Sequence, residues 1–367
     1  MADKTKIEWT DATWNVVNGC SVVSPGCTNC YAMKQAHRFA PRRGLTKQSN
    51  GGMVWTGDVR FNDAVLLHPL RWTMPRKIFV CAHGDLFHEK VPDEWIDKVF
   101  AVMALAHWHT FQVLTKRPER MREYLTETWQ PAVAHTVELE SLGAGPDIDV
   151  PAATRGEDRW DEVNLAIDHL ISDKLFNQDR FWTEEGALIG RPAWPRQPLS
   201  NVWLGTSVED QKRADERIPI LLDTPAAVRW LSCEPLLGPV DLQTVLWDIA
   251  GYQVRGVLPD RDEADDFVFA HKDQQAIRWV VAGGESGPGA RPMHPAWART
   301  LRDQCAQAGV AFLFKQWGEY AYHPAPGATF KDGTIVPPET EPVYIERVGK
   351  KAAGRMLDGV QHDGYPA

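Results

Sequence analysis

The 367-residue chain lacks the features of a membrane or secreted protein. It has no uninterrupted apolar run near the roughly 18 residues that a membrane span needs. Met1 to Asn15 contains no charged segment followed by an apolar one, as a secretory signal would. Only six cysteines are present, three bunched and three isolated at Cys81, Cys233 and Cys305, unlike a secreted disulfide framework. We therefore expect reduced thiols, no membrane partner and a cytoplasmic location.

The chain also lacks an excess of positive charge. Its net charge of -9 argues against a broad nucleic-acid footprint. Residues 127–200 hold fourteen acidic and six basic side chains, a net of -8, which leaves about -1 for the rest. A local anion-binding face and a plain solvated surface both explain the basic residues that gather elsewhere. These are Lys34, Arg38, Arg42, Arg43, Lys47, Arg71, Arg76, Lys77, Lys116, Arg117, Arg120 and Arg122.

Three of the cysteines lie together near the amino terminus. Cys20, Cys27 and Cys30 are separated by six and then two residues within a turn-rich segment, Asn18 to Tyr31. Thiolates are soft ligands that hold zinc or an iron–sulfur cluster, and a cluster bound by three cysteines keeps one iron free. His37 could complete a zinc site, but its basic, helical surroundings favour surface exposure. The segment predicts a metal centre and leaves its kind open.

Short apolar runs alternate with helical patterns along most of the chain. Such runs predict parallel strands buried on both faces, and seven of them favour an α/β fold with a complete or partial parallel (βα) barrel over an open sheet. The runs lie at residues 7–17, 77–82, 110–114, 201–204, 228–231, 278–282 and 310–314.

Two segments interrupt this alternation. An acidic, proline-containing stretch spans residues 126–200, and a polar stretch spans residues 241–276. We interpret both as insertions, each a lid or a partner surface. The barrel then comprises residues 1–125, which include the cysteines, 201–240 and 277–319. A tail, residues 320–367, follows, and Val343 to Gly349 predicts a late strand within it.

Polar or small residues follow nearly every predicted strand. The loops at the carboxyl ends of the strands of a parallel barrel converge on one mouth, where active sites form. The cysteines follow the first strand, so this mouth is predicted to be a cofactor site. The strand ends supply acids (Asp85, Glu209, Glu234, Glu285, Glu319), cations (Lys116, Arg117, Lys315) and glycines (Gly84, Gly205, Gly283, Gly284).

Simpler explanations exist for several of these residues. Gly283 and Gly284 suit either a close approach of a cofactor or a turn that needs positive φ. Glu234, which precedes a proline, suits either a site or a loop cap. Cys233 is a candidate reactive thiol, although a single cysteine is more often a small packed core residue.

Three clustered cysteines on the loop after the first strand of a βα barrel resemble the radical S-adenosylmethionine (SAM) superfamily. More narrowly, the chain resembles the phage-type three-Cys-motif family of radical-SAM-like proteins. The resemblance implies a barrel of the radical SAM type with two inserted segments. This chain differs from the superfamily in two ways. Six residues instead of three separate its first two cysteines, and an aromatic residue, Tyr31, follows the last cysteine where the usual aromatic residue precedes it. The similar segments are 7–15, 30–32, 84–87, 114–118, 232–239, 283–287, 315–318 and 349–355.

The resemblance implies a 4Fe–4S cluster on Cys20, Cys27 and Cys30, with SAM chelating the fourth iron. Electron transfer from a flavodoxin- or ferredoxin-type donor would cleave SAM to methionine and a 5'-deoxyadenosyl radical, which abstracts hydrogen from the substrate. By position, the resemblance suggests further contacts. Gly84 and Asp85 would bind the SAM amino group, Lys116 or Arg117 its carboxylate, Ser207 or Glu209 its ribose, and Tyr31 would lie beside the cofactor; Glu234, Glu285, Lys315 and Cys233 would act on the substrate side.

The substrate expectation comes from the same resemblance, because phage members of the family lie near enzymes that hypermodify thymine in DNA. It implies a modified nucleobase, nucleotide or DNA as substrate, with isomerisation of an aminoacylated thymidine as the leading reaction. One alternative is a zinc-stabilised, non-catalytic nucleic-acid-binding or defence-associated partner protein. A SAM-dependent methyltransferase is another, but it gives no reason for three clustered thiolates.

Overall fold

A seven-stranded parallel sheet, curled into a half-barrel, forms the centre of the molecule. The computed structural model describes residues 5–39, 42–126, 135–137, 148–150, 163, 166–167, 170, 198–249, 252–258, 275–323 and 344–366. Strand order in the sheet follows chain order, which confirms the seven predicted strands and selects a partial barrel. The strands are β1 (Ala12–Trp14), β2 (Lys77–Val80), β3 (Thr110–Thr115), β4 (Val202–Ser207), β5 (Val228–Cys233), β6 (Ile277–Gly283) and β7 (Ala311–Gln316).

Helices connect these strands and cover the outer face of the sheet. Individual capping residues determine where several of the helices begin or end. Asp210 caps helix α5 (Gln211–Leu222) by accepting from Arg213 N at 3.0 Å, and Gly309 ends helix α6 (Pro295–Ala308) in the left-handed conformation at φ 68°. The helices are α1 (Tyr31–Gln35), α2 (His68–Arg71), α3 (Asp93–Leu105), α4 (Pro118–Thr126), α5 (Gln211–Leu222), α6 (Pro295–Ala308) and α7 (Lys350–Ala353).

Side chains alternate between the two faces of the sheet, as the period of a strand requires. On β4, Val202 and Leu204 join the main core with the helices, whereas Trp203 packs inside the half-barrel. The inner cluster is aromatic. Trp9, Trp230 and Trp279 are almost fully buried there, and the Trp230 and Trp279 ring centroids lie 5.0 Å apart. The interior is therefore a packed core, and the cavity lies above it.

The C-terminal segment covers the outer edge of β7. Leu313 forms an antiparallel bridge with Asp363, and Gly364 N donates to Phe312 O at 3.0 Å. Beyond this pairing, the Tyr365 ring lies 5.3 Å from Trp279. The segment thus satisfies the backbone groups of an edge strand that would otherwise be exposed.

Short two-stranded antiparallel sheets lie outside the main sheet. The predicted late strand is present as Tyr344–Arg347, paired with Tyr320–His323. The other pairs join Val17–Asn18 to Arg60–Phe61, Thr46–Ser49 to Gly52–Trp55, His135–Val137 to Ile148–Val150, and Leu246–Ile249 to Tyr252–Arg255.

Most of the two predicted insertions lies outside the described residues. Within the first, the helical residues Val163, Ile167 and Leu170 are buried in the main core, so this part packs against the barrel. None of the helices in the described part of the chain has the length and apolarity needed to cross a bilayer.

Gly205→Ala is expected to lower the free energy of unfolding by about 1–3 kcal/mol, a typical cost of overpacking. A Cβ at Gly205 would lie 2.5 Å from the Trp230 indole, which is fully buried and has no space to move. Urea denaturation measures the change. Gly51→Ala is the control, because a Cβ there meets no atom within 4 Å. An unchanged midpoint for the Gly205 variant would contradict the rigid packing.

Candidate functional site

The carboxyl ends of the strands open on a cavity of about 250 Å³. This placement confirms that the loops after the strands converge. Of the residues predicted to bind the metal, the cofactor or the substrate, all but Cys233 and Glu209 line the cavity, whereas Glu319, Gly205 and Gly283, which were also predicted at the mouth, do not. The predicted residues in the lining are Cys20, Cys27, Cys30, Tyr31, Gly84, Asp85, Lys116, Arg117, Ser207, Glu234, Glu285 and Lys315.

All three clustered cysteines are free thiols at this cavity. Cys27 ends a 3-10 turn, Pro25–Cys27, and Cys30 immediately precedes α1. Burial, with Asp85 adding to it, raises the pKa of Cys20 to about 12, and burial likewise raises the pKa of Cys30. Within the described residues, no three His, Cys, Asp or Glu side chains form a group able to hold a metal ion. The three thiols are thus collected in one cavity, and the raised pKa values of Cys20 and Cys30 favour their protonated forms when no metal is bound.

Arg117 holds one end of the cysteine loop, defined here as residues 20–30. Its Nη1 donates to Asp85 Oδ2 at 3.0 Å and to Cys20 Sγ at 3.6 Å. Its Nη2 donates to Ser21 Oγ at 2.5 Å, and its Nε donates to Glu89 Oε2 at 2.7 Å. Every nitrogen of the guanidinium therefore has a protein partner, and one of these partners is a predicted cluster ligand.

Asp85 in turn fixes Arg117. Its Oδ1 accepts from Thr115 Oγ1 at 2.8 Å and from Phe87 N at 3.0 Å. Its Oδ2 accepts from Arg117 Nη1 and, at 3.3 Å, from Lys116 N. Asp85 is buried, and these bonds tie the loop after β2 to the end of β3.

Glu209 supports the middle of the cysteine loop from behind. It is fully buried, accepts from Ser24 Oγ, and lies 2.8 Å from Arg217 Nη1 and 3.7 Å from Lys116 Nζ. A Cβ on Gly26 would lie 2.4 Å from its Oε1, so only glycine allows this approach. Burial alone would raise the pKa of Glu209, but Lys116 and Arg217 outweigh it and hold the pKa below its usual value. Glu209 is thus an anionic support for the loop.

Glu285 holds the far end of the loop from the end of β6. Arg291 donates to it from Nη2 at 2.6 Å and from Nε at 2.9 Å, and Arg291 Nη2 also donates to Pro25 O at 3.0 Å. Asn29 Nδ2 donates to Glu285 Oε2 at 2.9 Å and to Gly289 O at 2.6 Å. The cysteine loop is therefore fastened to several strand ends across the mouth.

A separate ion pair lies at the barrel side of the cavity. Lys315 Nζ is 2.9 Å from Glu234 Oε1, while Trp9 Nε1 donates to Glu234 Oε2 at 3.2 Å. A Cβ on Gly283 would lie 3.0 Å from Glu234 Oε1, and a Cβ on Gly284 would lie 2.0 Å from a backbone oxygen. Neither glycine has positive φ, so the turn explanation for them is wrong and close packing replaces it.

Several candidates lie away from the cavity. Cys233 is fully buried in the main core, where burial raises its pKa well above the usual value, and this placement corresponds to a packing role. Glu319 accepts from Gly287 N at 2.9 Å. His37 is exposed on a 3-10 turn and does not line the cavity.

Some site residues were missed from the sequence. Trp9 and Phe79 line the cavity as an apolar wall, and the aromatic pattern of the first strand was the available signal for Trp9. Asn29, Ser24 and Arg291 carry the loop contacts, but as single polar residues in loops they gave no signal.

The chain matches a family described as protein of unknown function (DUF5131) over residues 4–366. The chain belongs to this family. No curated protein and no solved structure matches the chain. The DUF5131 description names no activity, so the function has to be argued from the site.

Glu209→Gln is expected to destabilise the protein by about 3 kcal/mol at pH 7, since removing one partner of a buried ion pair leaves the others unpaired. The depressed pKa makes the wild-type advantage complete above the unfolded value of about 4.3 and smaller as pH falls through the lower folded value. Urea denaturation from pH 7 to pH 3 measures it. Glu216→Gln, which removes a half-exposed pair with Lys212, is the control and should cost about 0.5 kcal/mol or less. Equal effects of the two changes would contradict the supporting role.

Proposed function

We propose that this DUF5131 protein is a radical SAM enzyme that carries a 4Fe–4S cluster on Cys20, Cys27 and Cys30. The observation that supports the proposal is the collection of these free thiols in one cavity at the carboxyl ends of a parallel half-barrel. The described side chains form no group that could hold a single metal ion, but a cluster contains several irons and takes its thiolates on different ones, so three soft donors around one cavity suit a cluster that keeps one iron open. Contacts from Arg117, Glu209 and Glu285 to the cysteine loop hold its conformation without a bound cofactor.

Cys20, Cys27 and Cys30 would hold such a cluster, which would pass one electron from a flavodoxin- or ferredoxin-type donor to SAM and so supply reductive cleavage to methionine and a 5'-deoxyadenosyl radical. The chain's own task is to bind, orient and shield. Lys116 is better suited than Arg117 to the SAM carboxylate. Its ammonium lies at the cavity with only a loose 3.7 Å contact to Glu209, whereas the nitrogens of Arg117 are engaged.

The opposite wall supports a planar, polar substrate. Trp9, Phe79 and Leu114 provide an apolar surface, and Glu234 with Lys315 provides an acceptor and a donor beside it. A nucleobase presents a flat ring and an edge of donors and acceptors, which matches such a wall. We therefore propose a modified nucleobase, nucleotide or DNA as substrate, with isomerisation of an aminoacylated thymidine as the reaction.

Anaerobic reconstitution of the full chain tests the cofactor. We expect iron and sulfide uptake with the visible absorbance of a cluster, and its loss in each of C20A, C27A and C30A because each removes a ligand. C305A is the control, since Cys305 is buried in the main core. A colourless protein containing zinc would reject the proposal in favour of a zinc-stabilised binding protein.

The reaction is tested with SAM and a reductant. We expect 5'-deoxyadenosine as the product, and a changed mass or structure of the nucleobase substrate when aminoacylated thymidine is supplied. S-adenosylhomocysteine as the product would identify a methyltransferase instead. Formation of 5'-deoxyadenosine with every nucleobase untouched would reject the nucleobase assignment alone.

Lys116→Met is expected to weaken SAM binding by about tenfold or more, as for loss of a charged hydrogen bond of about 1.5–3 kcal/mol. Isothermal titration of the reconstituted protein with SAM, without reductant, measures it. Lys90→Met is the control, because Lys90 is exposed and pairs with Asp58. Wild-type affinity in the Lys116 variant would remove Lys116 from the SAM site.

A further inference from the structure

Arg117 contacts the first predicted cluster ligand, and each of its guanidinium nitrogens has a protein partner. Its side chain is nine-tenths buried, and its Nη1 lies 3.6 Å from Cys20 Sγ. The same nitrogen donates to buried Asp85, and Nη2 donates to Ser21, the neighbour of that cysteine. The guanidinium thus bridges the backbone-anchored carboxylate of Asp85, in the loop after β2, and the first predicted ligand.

The two carboxylates that contact Arg117 differ in how firmly the protein holds them. Asp85 is held by Thr115 and by two backbone N–H groups, so it cannot follow a moving arginine. Glu89 holds the Nε side from a more exposed position, 60% accessible. Arg117 is therefore locked in a rigid frame, with a positive charge and an N–H group directed at the sulfur.

We propose that Arg117 is a positioning residue that holds Cys20 and raises the reduction potential of the cluster. This inference rests on the proposed function. Reduction adds negative charge to a cluster, and a nearby cation or an N–H donor to its sulfur stabilises the reduced form more than the oxidised form. Arg117 also neutralises Asp85, whose charge next to Cys20 would favour the oxidised form. Both effects act in the same direction, toward a cluster that is easier to reduce.

The test is a dye-mediated redox titration, followed by electron paramagnetic resonance, of reconstituted wild type, R117Q and R117K without SAM. We expect R117Q to show about a tenfold lower ratio of reduced to oxidised cluster at the wild-type midpoint, equal to about 59 mV for one electron. R117K keeps the positive charge but loses the several N–H donors of the guanidinium, so its midpoint should shift less than that of R117Q. R120Q is the control: it removes a positive charge from α4, the helix that begins directly after Arg117, where Arg120 pairs with Asp93 and not with a cysteine.

The outcomes separate the inference from the proposed function. A wild-type protein that takes up no iron and sulfide rejects the proposed function itself. A wild-type cluster together with an unchanged midpoint in R117Q, or with an equal shift in R120Q, rejects only the role of Arg117. A folded R117Q that fails to load a cluster, with loading restored in R117K, supports the positioning of Cys20.

R117Q leaves the buried Asp85 carboxylate without its cation, which could prevent folding. A second comparison therefore uses variants in which residue 85 carries no charge. D85N/R117Q removes both charges and leaves the hydrogen-bonding shape of residue 85 largely in place. Compared with D85N alone, the double variant is expected to show the same direction of change, a more negative midpoint. Equal midpoints in these two variants would overturn the inference.

Discussion

The candidate site depends on buried carboxylates paired with arginines. Asp85 with Arg117, Glu209 with Arg217, and Glu285 with Arg291 follow different strands, and each pair also contacts the cysteine loop. An eleven-residue loop rich in turns has little structure of its own, so its conformation comes from these contacts. Buried ion pairs contribute little net stability compared with apolar packing but strongly favour one arrangement. Their value here lies in specifying where the thiols stand.

The strands and their order could be predicted from the sequence because each signal was local. A short apolar run followed by a helical pattern requires a parallel sheet covered on its outer face, and the seven runs became seven neighbouring strands. The first strand was predicted too long, at residues 7–17. Its aromatic pattern begins at residue 7, but Trp9 turns inward to fill the barrel and the paired segment is only Ala12–Trp14.

The place of the polar residues was predictable, but their partners were not. Acids at the ends of strands do converge at the mouth, as topology requires. Arg291 and Ser24, however, meet Glu285 and Glu209 through contacts that depend on loop conformation. Glu209 shows the consequence: it was expected to face a ligand and instead lies behind the loop. Cys233 shows the same limit, since a strand-end position did not reveal which face its side chain occupies.

Contacts between residues near the two ends of the sequence hold the half-barrel together. Tyr365 contacts Trp279 from one side and the Lys77 ammonium from the other, and Lys350 pairs with Glu8. Residues near both termini must therefore meet before the aromatic interior is sealed. Until residues 362–365 pair with β7, the outer edge of that strand and the Trp279 side of the aromatic interior face water. The half-barrel is therefore closed by a contact between segments far apart in sequence, and such long-range contacts are the ones that form slowly in folding.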